Sequence, residues 1–308
     1  MTDDSFAIAR LVDEEAALEA TFVPAAGMLC ASLRHHGEEL LAQNAGVAAY
    51  AERGKTMGIP LLYPWANRLA DFGYEAAGRS VAVPRDPGRI ALDDNGLPIH
   101  GVIAGRMAWV LTDTASADAR SLAAKLSWRE SDAELFEVFP FRHELCYEAR
   151  LSGGRLEIAL TVHANDADTV PVAFGFHPYL SLPGVARDRW LIELPPMRPL
   201  TLDAHQIPVG HGQAQAAEAF ELSEREFDDG FDSVADPAHF SVAVAGRRIE
   251  LDFLEGYPYA QVYAPKGGQF ICFEPMTAPA NALRSGTGLR LLGAGESYSA
   301  GFSVNVRG

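Results

Sequence analysis

Cysteine is scarce in this chain: Cys30, Cys146 and Cys272 are the whole complement in 308 residues. An odd number without CxxC spacing excludes a disulfide framework and a thiolate zinc cluster, and it suits a reducing compartment. Cys146 and Cys272 fall in apolar strand patterns and read as buried thiols. Long apolar runs are missing as well. No uncharged stretch approaches the roughly 18 residues that a membrane-spanning helix needs. The opening Met-Thr-Asp-Asp-Ser lacks the basic-then-apolar order of a signal peptide. These absences set the expectation of a soluble, cytoplasmic protein with no membrane partner. Positive charge is short too, with 25 Lys and Arg against 41 Asp and Glu and a net charge of −16. Such a field repels phosphate backbones, so nucleic acid is not an expected partner. A neutral substrate is indifferent to it, whereas a multiply charged anion needs a local basic pocket.

The familiar catalytic signatures are absent. The chain has no P-loop, no GxGxxG, no G-x-S-x-G and no HExxH. His205 and His211 lie in a polar stretch, and His35-His36 sits beside a glycine. Adjacent residues of a strand face opposite sides, so His35 and His36 are not expected to chelate together. No metal and no cofactor are therefore expected.

Period-two alternation is abundant instead. Tyr147, Ala149 and Leu151 alternate with polar residues, Ser-Gly-Gly turns the chain, and Leu156, Ile158, Leu160 and Val162 follow on one face. A second hairpin joins Phe240, Val242 and Val244 to Ile249, Leu251 and Phe253, and Tyr298 to Val306 forms a terminal strand. Further strands are expected at 27–33, 81–83, 108–113, 122–129, 189–194, 259–264 and 269–274. Helical periodicity is confined to 62–69 and 215–222, and 203–232, rich in Asp, Glu, Gln and Gly, reads as a long loop region. Strands every ten residues or so, with no βαβ units, internal repeat or low-complexity linker, predict an all-β fold. The architecture expected is one large antiparallel β-sandwich over residues 1–308 with few short helices.

Five segments can carry chemistry. Tyr63-Pro-Trp-Ala-Asn-Arg-Leu69 offers the Asn67 amide, the Arg68 donor fork and an indole face for a sugar ring. Pro98-Ile-His-Gly101 places His100 before a flexible glycine. Phe174-Gly-Phe-His-Pro-Tyr-Leu180 surrounds His177 with apolar residues, and Pro178 restricts it to extended geometry at a strand end. Phe227-Asp-Asp-Gly-Phe-Asp232 clusters three carboxylates as a charged turn, without the ligand spacing of a calcium loop. Phe270-Ile-Cys-Phe-Glu-Pro-Met276 holds Glu274, with Pro275 expected to end the ladder and leave the carboxylate at a strand rim. A titratable group in an apolar run costs several kcal/mol if buried unpaired. An acid and a carboxylate base are also the minimum kit for moving two protons.

Taken in order, these segments resemble the aldose 1-epimerase (galactose mutarotase) family over most of the chain, from Pro24-Ala-Ala-Gly-Met-Leu-Cys-Ala-Ser-Leu33 to the last strand. The resemblance implies a galactose mutarotase-like supersandwich acting, as monomer or homodimer, on a small-molecule sugar. It implies that His177 is the general acid and Glu274 the general base in interconverting the α and β anomers of a free aldose. Asn67, Arg68, His100 and Asp228 would bind the sugar, Asp228 aligning better than Asp229 because it stands three residues before Phe231. Two motifs depart from the best-known members: His177-Pro-Tyr-Leu-Ser-Leu182 replaces His-x-Tyr-Phe-Asn-Leu, and Glu274-Pro-Met replaces Glu-Thr-Gln. A galactose preference therefore does not carry over. Related hexose-6-phosphate epimerases bind phosphate through extra arginines, for which Arg53, Arg79 and Arg106 are candidates. The alternatives are a catalytically silent sugar-binding or regulatory protein on the same fold, a hexose-6-phosphate 1-epimerase, and a glycoside hydrolase pairing Glu274 with Asp228 or Asp229.

Overall fold

The alternating segments pair as their spacing predicts. In the computed structural model, which describes residues 6–113, 119–165 and 168–308, His143–Ser152 and Arg155–Ala164 form the first hairpin. Leu145, Tyr147, Ala149 and Leu151 are buried on its inner face beside Leu156, Ile158, Leu160 and Val162. The hairpin Ala238–Val244 to Arg247–Glu255 and the terminal strand Ser297–Arg307 join it in one antiparallel sheet. Among the described residues that sheet has nine strands, running from Val110–Asp113 at one edge to Glu218–Glu221 at the other.

A second antiparallel sheet carries the cavity described below. From one edge inward it runs Pro208–His211, Arg198–Leu202, Phe227–Asp232, Tyr259–Ala264 and Ile271–Met276. Gly175–Phe176 and Tyr179–Leu180 then pair with the far side of Ile271–Met276, and Leu61–Leu62 pairs with Gly175–Phe176. The two large sheets meet face to face. Phe302 of the first lies 5.0 Å from Phe176 of the second, and Phe240 lies 5.2 Å from Phe273, ring centre to ring centre. Each such ring removes enough apolar area from water to stabilise the fold by about 1.5–3 kcal/mol. A smaller four-stranded sheet, Ala9–Asp13 through Glu38–Glu39, precedes them.

Several local expectations are corrected. Residues 62–69 are not helical. Pro64 steers Tyr63 toward extended geometry, and isolated bridges tie Tyr63 to Gly101, Trp65 to Ala173 and Arg68 to Ile99. Trp65 and Leu69 are fully buried in that arrangement. Residues 215–222 contain the strand Glu218–Glu221 rather than a helix. The stretch 203–232 is not a long loop; it holds that strand together with Pro208–His211 and Phe227–Asp232. Strands near a sheet edge tolerate charged residues, which hides them from a reading of composition. The longest helix among the described residues, Val47–Arg53, ends on Gly54 in left-handed geometry, whose N–H reaches the carbonyls of Ala49 and Tyr50. Among the described residues no helix is long and apolar enough to cross a membrane.

Two smaller readings also change. Cys272 is buried, but Cys146 is half-exposed, because Leu145 and Tyr147 on either side take the inward positions. The rings of His35 and His36 lie 4.3 Å apart instead of on opposite faces, since His36 leaves the strand at φ +49°.

Candidate active site

Strand register brings His177 and Glu274 together. Gly175 pairs with Met276 and Tyr179 pairs with Cys272. Moving two residues inward from either pair puts His177 opposite Glu274. The regular ladder is interrupted there, where Pro178 and Pro275 have no N–H to donate. The His177 amide turns away to the Pro60 carbonyl at 3.1 Å. Glu274 is thus not at a strand rim: it lies inside Ile271–Met276, paired on its other side with Gln261 of Tyr259–Ala264. The break between two short strands, rather than a strand end, opens the sheet to a ligand. His177 Nε2 lies 3.2 Å from Glu274 Oε1, and both residues are at most 4 % exposed.

The other four candidate residues converge on the same place. Asn67, Arg68, His100 and Asp228 line one cavity of about 670 Å³ with His177 and Glu274. Asp228 sits within a strand, not in a turn, and Asp229 beside it points to the opposite face. Arg68 is the hub. Its Nε donates to Asp93 at 2.8 Å, one Nη to Asn67 Oδ1 at 3.1 Å and the other to Asp228 at 3.4 Å. Asn67 and His100 both hold left-handed backbone, at φ +55° and +62°, and the His100 N–H donates to the Asn67 carbonyl at 2.9 Å. Asn and His are among the non-glycine residues that enter that region most readily, so both positions suit the residues found there. Gly101 follows at φ +76° against the Tyr63 carbonyl, where a Cβ would lie 2.0 Å from the oxygen.

Two residues at the site escape a reading of the sequence. Gln261 is buried and donates to Asp228 Oδ1 at 2.7 Å. Its signal, a polar residue at an inward position of an apolar strand, is the same one that flags Glu274. Tyr179 stacks flat on His177, with ring centres 4.4 Å apart and 1° between planes. The Tyr179 hydroxyl lies 3.4 Å from His177 Nε2 and 2.6 Å from Thr56 Oγ1.

Burial sets the electrostatics. It pushes the Glu274 carboxyl well above the usual carboxylate range, reinforced by Asp228 and partly offset by Arg68. It pushes the His177 imidazole well below its ordinary 6.5, with His100 adding to the effect. His100 falls to about 3 through burial and the nearby Arg68, so it is a neutral ring at physiological pH. Desolvation thus favours a pair that holds one proton and no net charge. Glu274 Oε2, His177 Nδ1 and His100 Nδ1 are buried without a hydrogen-bond partner among the described residues. Unpaired buried polar atoms cost about 1–3 kcal/mol each, a cost a hydroxyl-rich ligand can relieve. Among the described residues no group of three His, Cys, Asp or Glu is placed to hold a metal ion.

Comparison with known proteins gives one family. The aldose 1-epimerase family model matches residues 14–305. The uncharacterized protein YihR of Escherichia coli (strain K12) is 24% identical over 253 residues, covering 79% of this chain and 77% of its own length. The Slr1438 protein from Synechocystis sp. PCC 6803 superposes with a TM-score of 0.77 at 24% identity, covering 100% of this chain and 98% of its own. A galactose mutarotase-like protein from Clostridium acetobutylicum reaches a TM-score of 0.80 at 16% identity, covering 99% of both chains. The two solved structures share the fold.

Proposed function

We propose that this chain, which belongs to the aldose 1-epimerase family, is a mutarotase that interconverts the α and β anomers of a free aldose by general acid/base ring opening. The observation that carries the reading is the buried His177–Glu274 pair at 3.2 Å, facing a cavity lined with hydrogen-bonding groups. Glu274 takes the proton of the anomeric hydroxyl while His177 gives its proton to the ring oxygen. The C1–ring-oxygen bond breaks, the C1 carbonyl forms, and the former ring oxygen becomes a hydroxyl. Rotation about C1–C2 then presents the other carbonyl face, and closure returns both protons. The reaction neither gains nor loses a proton overall, so a pair sharing one proton is matched to it. Each group can contribute about 10²–10⁴-fold.

The remaining polar groups then have roles as binders. Arg68, Asn67, Asp228 and Gln261 form one connected network that can exchange hydrogen bonds with sugar hydroxyls. Neutral His100 can both donate and accept. A hydrolase pairing Glu274 with Asp228 is disfavoured, because Asp228 is already engaged by Gln261 and Arg68. Anomer exchange followed by NMR across a panel of aldoses tests the reading. Exchange accelerated for at least one of them supports it; acceleration of none returns a silent sugar-binding protein to first place.

A further inference from the structure

Arg68 is held by its main chain as well as by its guanidinium. On one side the His100 N–H donates to the Asn67 carbonyl and the Leu69 N–H to the Pro98 carbonyl, both at 2.9 Å. On the other side stands Asn281. Its N–H donates to the Arg68 carbonyl at 2.7 Å, and its Oδ1 accepts from the Ala70 N–H at 2.9 Å. These two bonds bracket Leu69, the residue that follows Arg68. Asn281 itself is not among the residues that line the cavity.

The Asn281 side chain does not serve its own helix. Asn281 opens the short helix Ala282–Ser285, a position from which an asparagine ordinarily caps the next N–H groups. It makes no such cap, and its backbone is left-handed at φ +65°. Asparagine enters that region more readily than most residues, so one side chain meets both demands, the conformation and the acceptor aimed at Ala70. The chain that ends on Asn281 begins at Glu274. Between them, Thr277 donates to the Phe174 carbonyl through its N–H and its Oγ1, each at 2.9 Å. Phe174 directly precedes the Gly175–Phe176 strand that leads to His177. One stretch of chain thus carries the candidate base, fastens the strand of the candidate acid and clamps Arg68.

We infer that Asn281 is a positioning residue: it sets the main chain of Arg68 so that the guanidinium reaches Asn67, Asp93 and Asp228 and meets the sugar. This role rests on the mutarotase reading, in which Arg68 binds substrate. An error of about 1 Å in such a group is enough to weaken a site.

Anomer exchange followed by NMR, on an aldose that the wild type accelerates, tests the role. Asn281→Gly keeps the left-handed backbone and removes only the acceptor, whereas Asn281→Asp keeps both. Asn281→Gly should raise KM about fivefold with kcat within about twofold of the wild type. Asn281→Asp should stay within about twofold in both. In an Arg68→Ala background, Asn281→Gly should move KM by less than about twofold, because no guanidinium is left to place. Four results overturn the inference and leave the mutarotase reading standing: an unchanged KM or a loss carried by kcat in Asn281→Gly, equal impairment in Asn281→Asp, an equal KM loss in the Arg68→Ala background, or loss of the folded circular dichroism spectrum in Asn281→Gly. Acceleration of no aldose by the wild type overturns both.

Discussion

His177 and Glu274 face each other across an interrupted antiparallel pairing, with Nε2 and Oε1 3.2 Å apart and neither residue more than 4 % exposed. The interruption leaves room for a ligand, and burial raises the carboxyl's proton affinity while it lowers the imidazole's. Replacing His177 with Asn or Glu274 with Gln removes one proton carrier at nearly constant volume. Each variant should lose about 10²–10⁴-fold in kcat while its circular dichroism stays that of the wild type. Comparing rate and spectrum for each variant checks this, and near-wild-type rates in both would contradict the assignment.

Glu274 should also limit stability. Its folded-state pKa is raised above the unfolded value of 4.5, so its stabilising contribution is complete below that pH and is lost as pH rises. Glu274→Gln abolishes the titration. The variant should therefore melt at least about 2 °C above the wild type near neutral pH, with the gap closing toward about pH 4. Thermal unfolding at both pH values decides it, and a variant less stable than wild type at neutrality would be the adverse result.

The acid limb of activity depends on His177. A second proton on the pair must go to an imidazole whose pKa is depressed below 6.5 by burial and by His100. The rate should accordingly hold on acidification through 6.5 and fall only below it. Tyr179→Phe keeps the stacked ring but removes the hydroxyl 3.4 Å from Nε2. It should shift that limb and lower kcat more than it raises KM. A pH–rate profile superimposable on the wild type would mean that the hydroxyl does no more than pack.

Gln261 is predicted to act through Asp228. Gln261→Leu leaves Asp228 Oδ1 without its 2.7 Å donor, a loss of about 1–3 kcal/mol. Because the Asp228 side chain is partly exposed, the low end applies, roughly fivefold in kcat/KM, expressed mainly in KM. Steady-state kinetics on the best substrate provide the check, with an unchanged KM the contrary outcome.

The sequence made the hairpins legible because their alternation is uninterrupted, as in Arg155–Ala164 with every second residue buried. It made His177 and Glu274 conspicuous because each breaks an apolar run. What it did not convey was register: Pro275 read as a strand terminator, yet the strand continues to Met276 because the opposing strand is the one that breaks. Gln261 went unnoticed for a related reason, since a neutral amide in a strand draws no attention until its partner carboxylate is in view. The 62–69 segment carried helical spacing, but Pro64 and the tertiary bridges of Tyr63, Trp65 and Arg68 override it.

The central claim is that one buried acid/base pair opens a sugar ring, and anomer exchange reads that chemistry directly. NMR magnetisation transfer between the α and β C1–H signals of a reducing sugar, with wild-type, His177→Asn and Glu274→Gln protein at equal concentration, is the decisive measurement. The account predicts strong acceleration by the wild type, with exchange in either variant falling about 10²–10⁴-fold toward the uncatalysed rate. Exchange as fast in the two variants as in the wild type would contradict it.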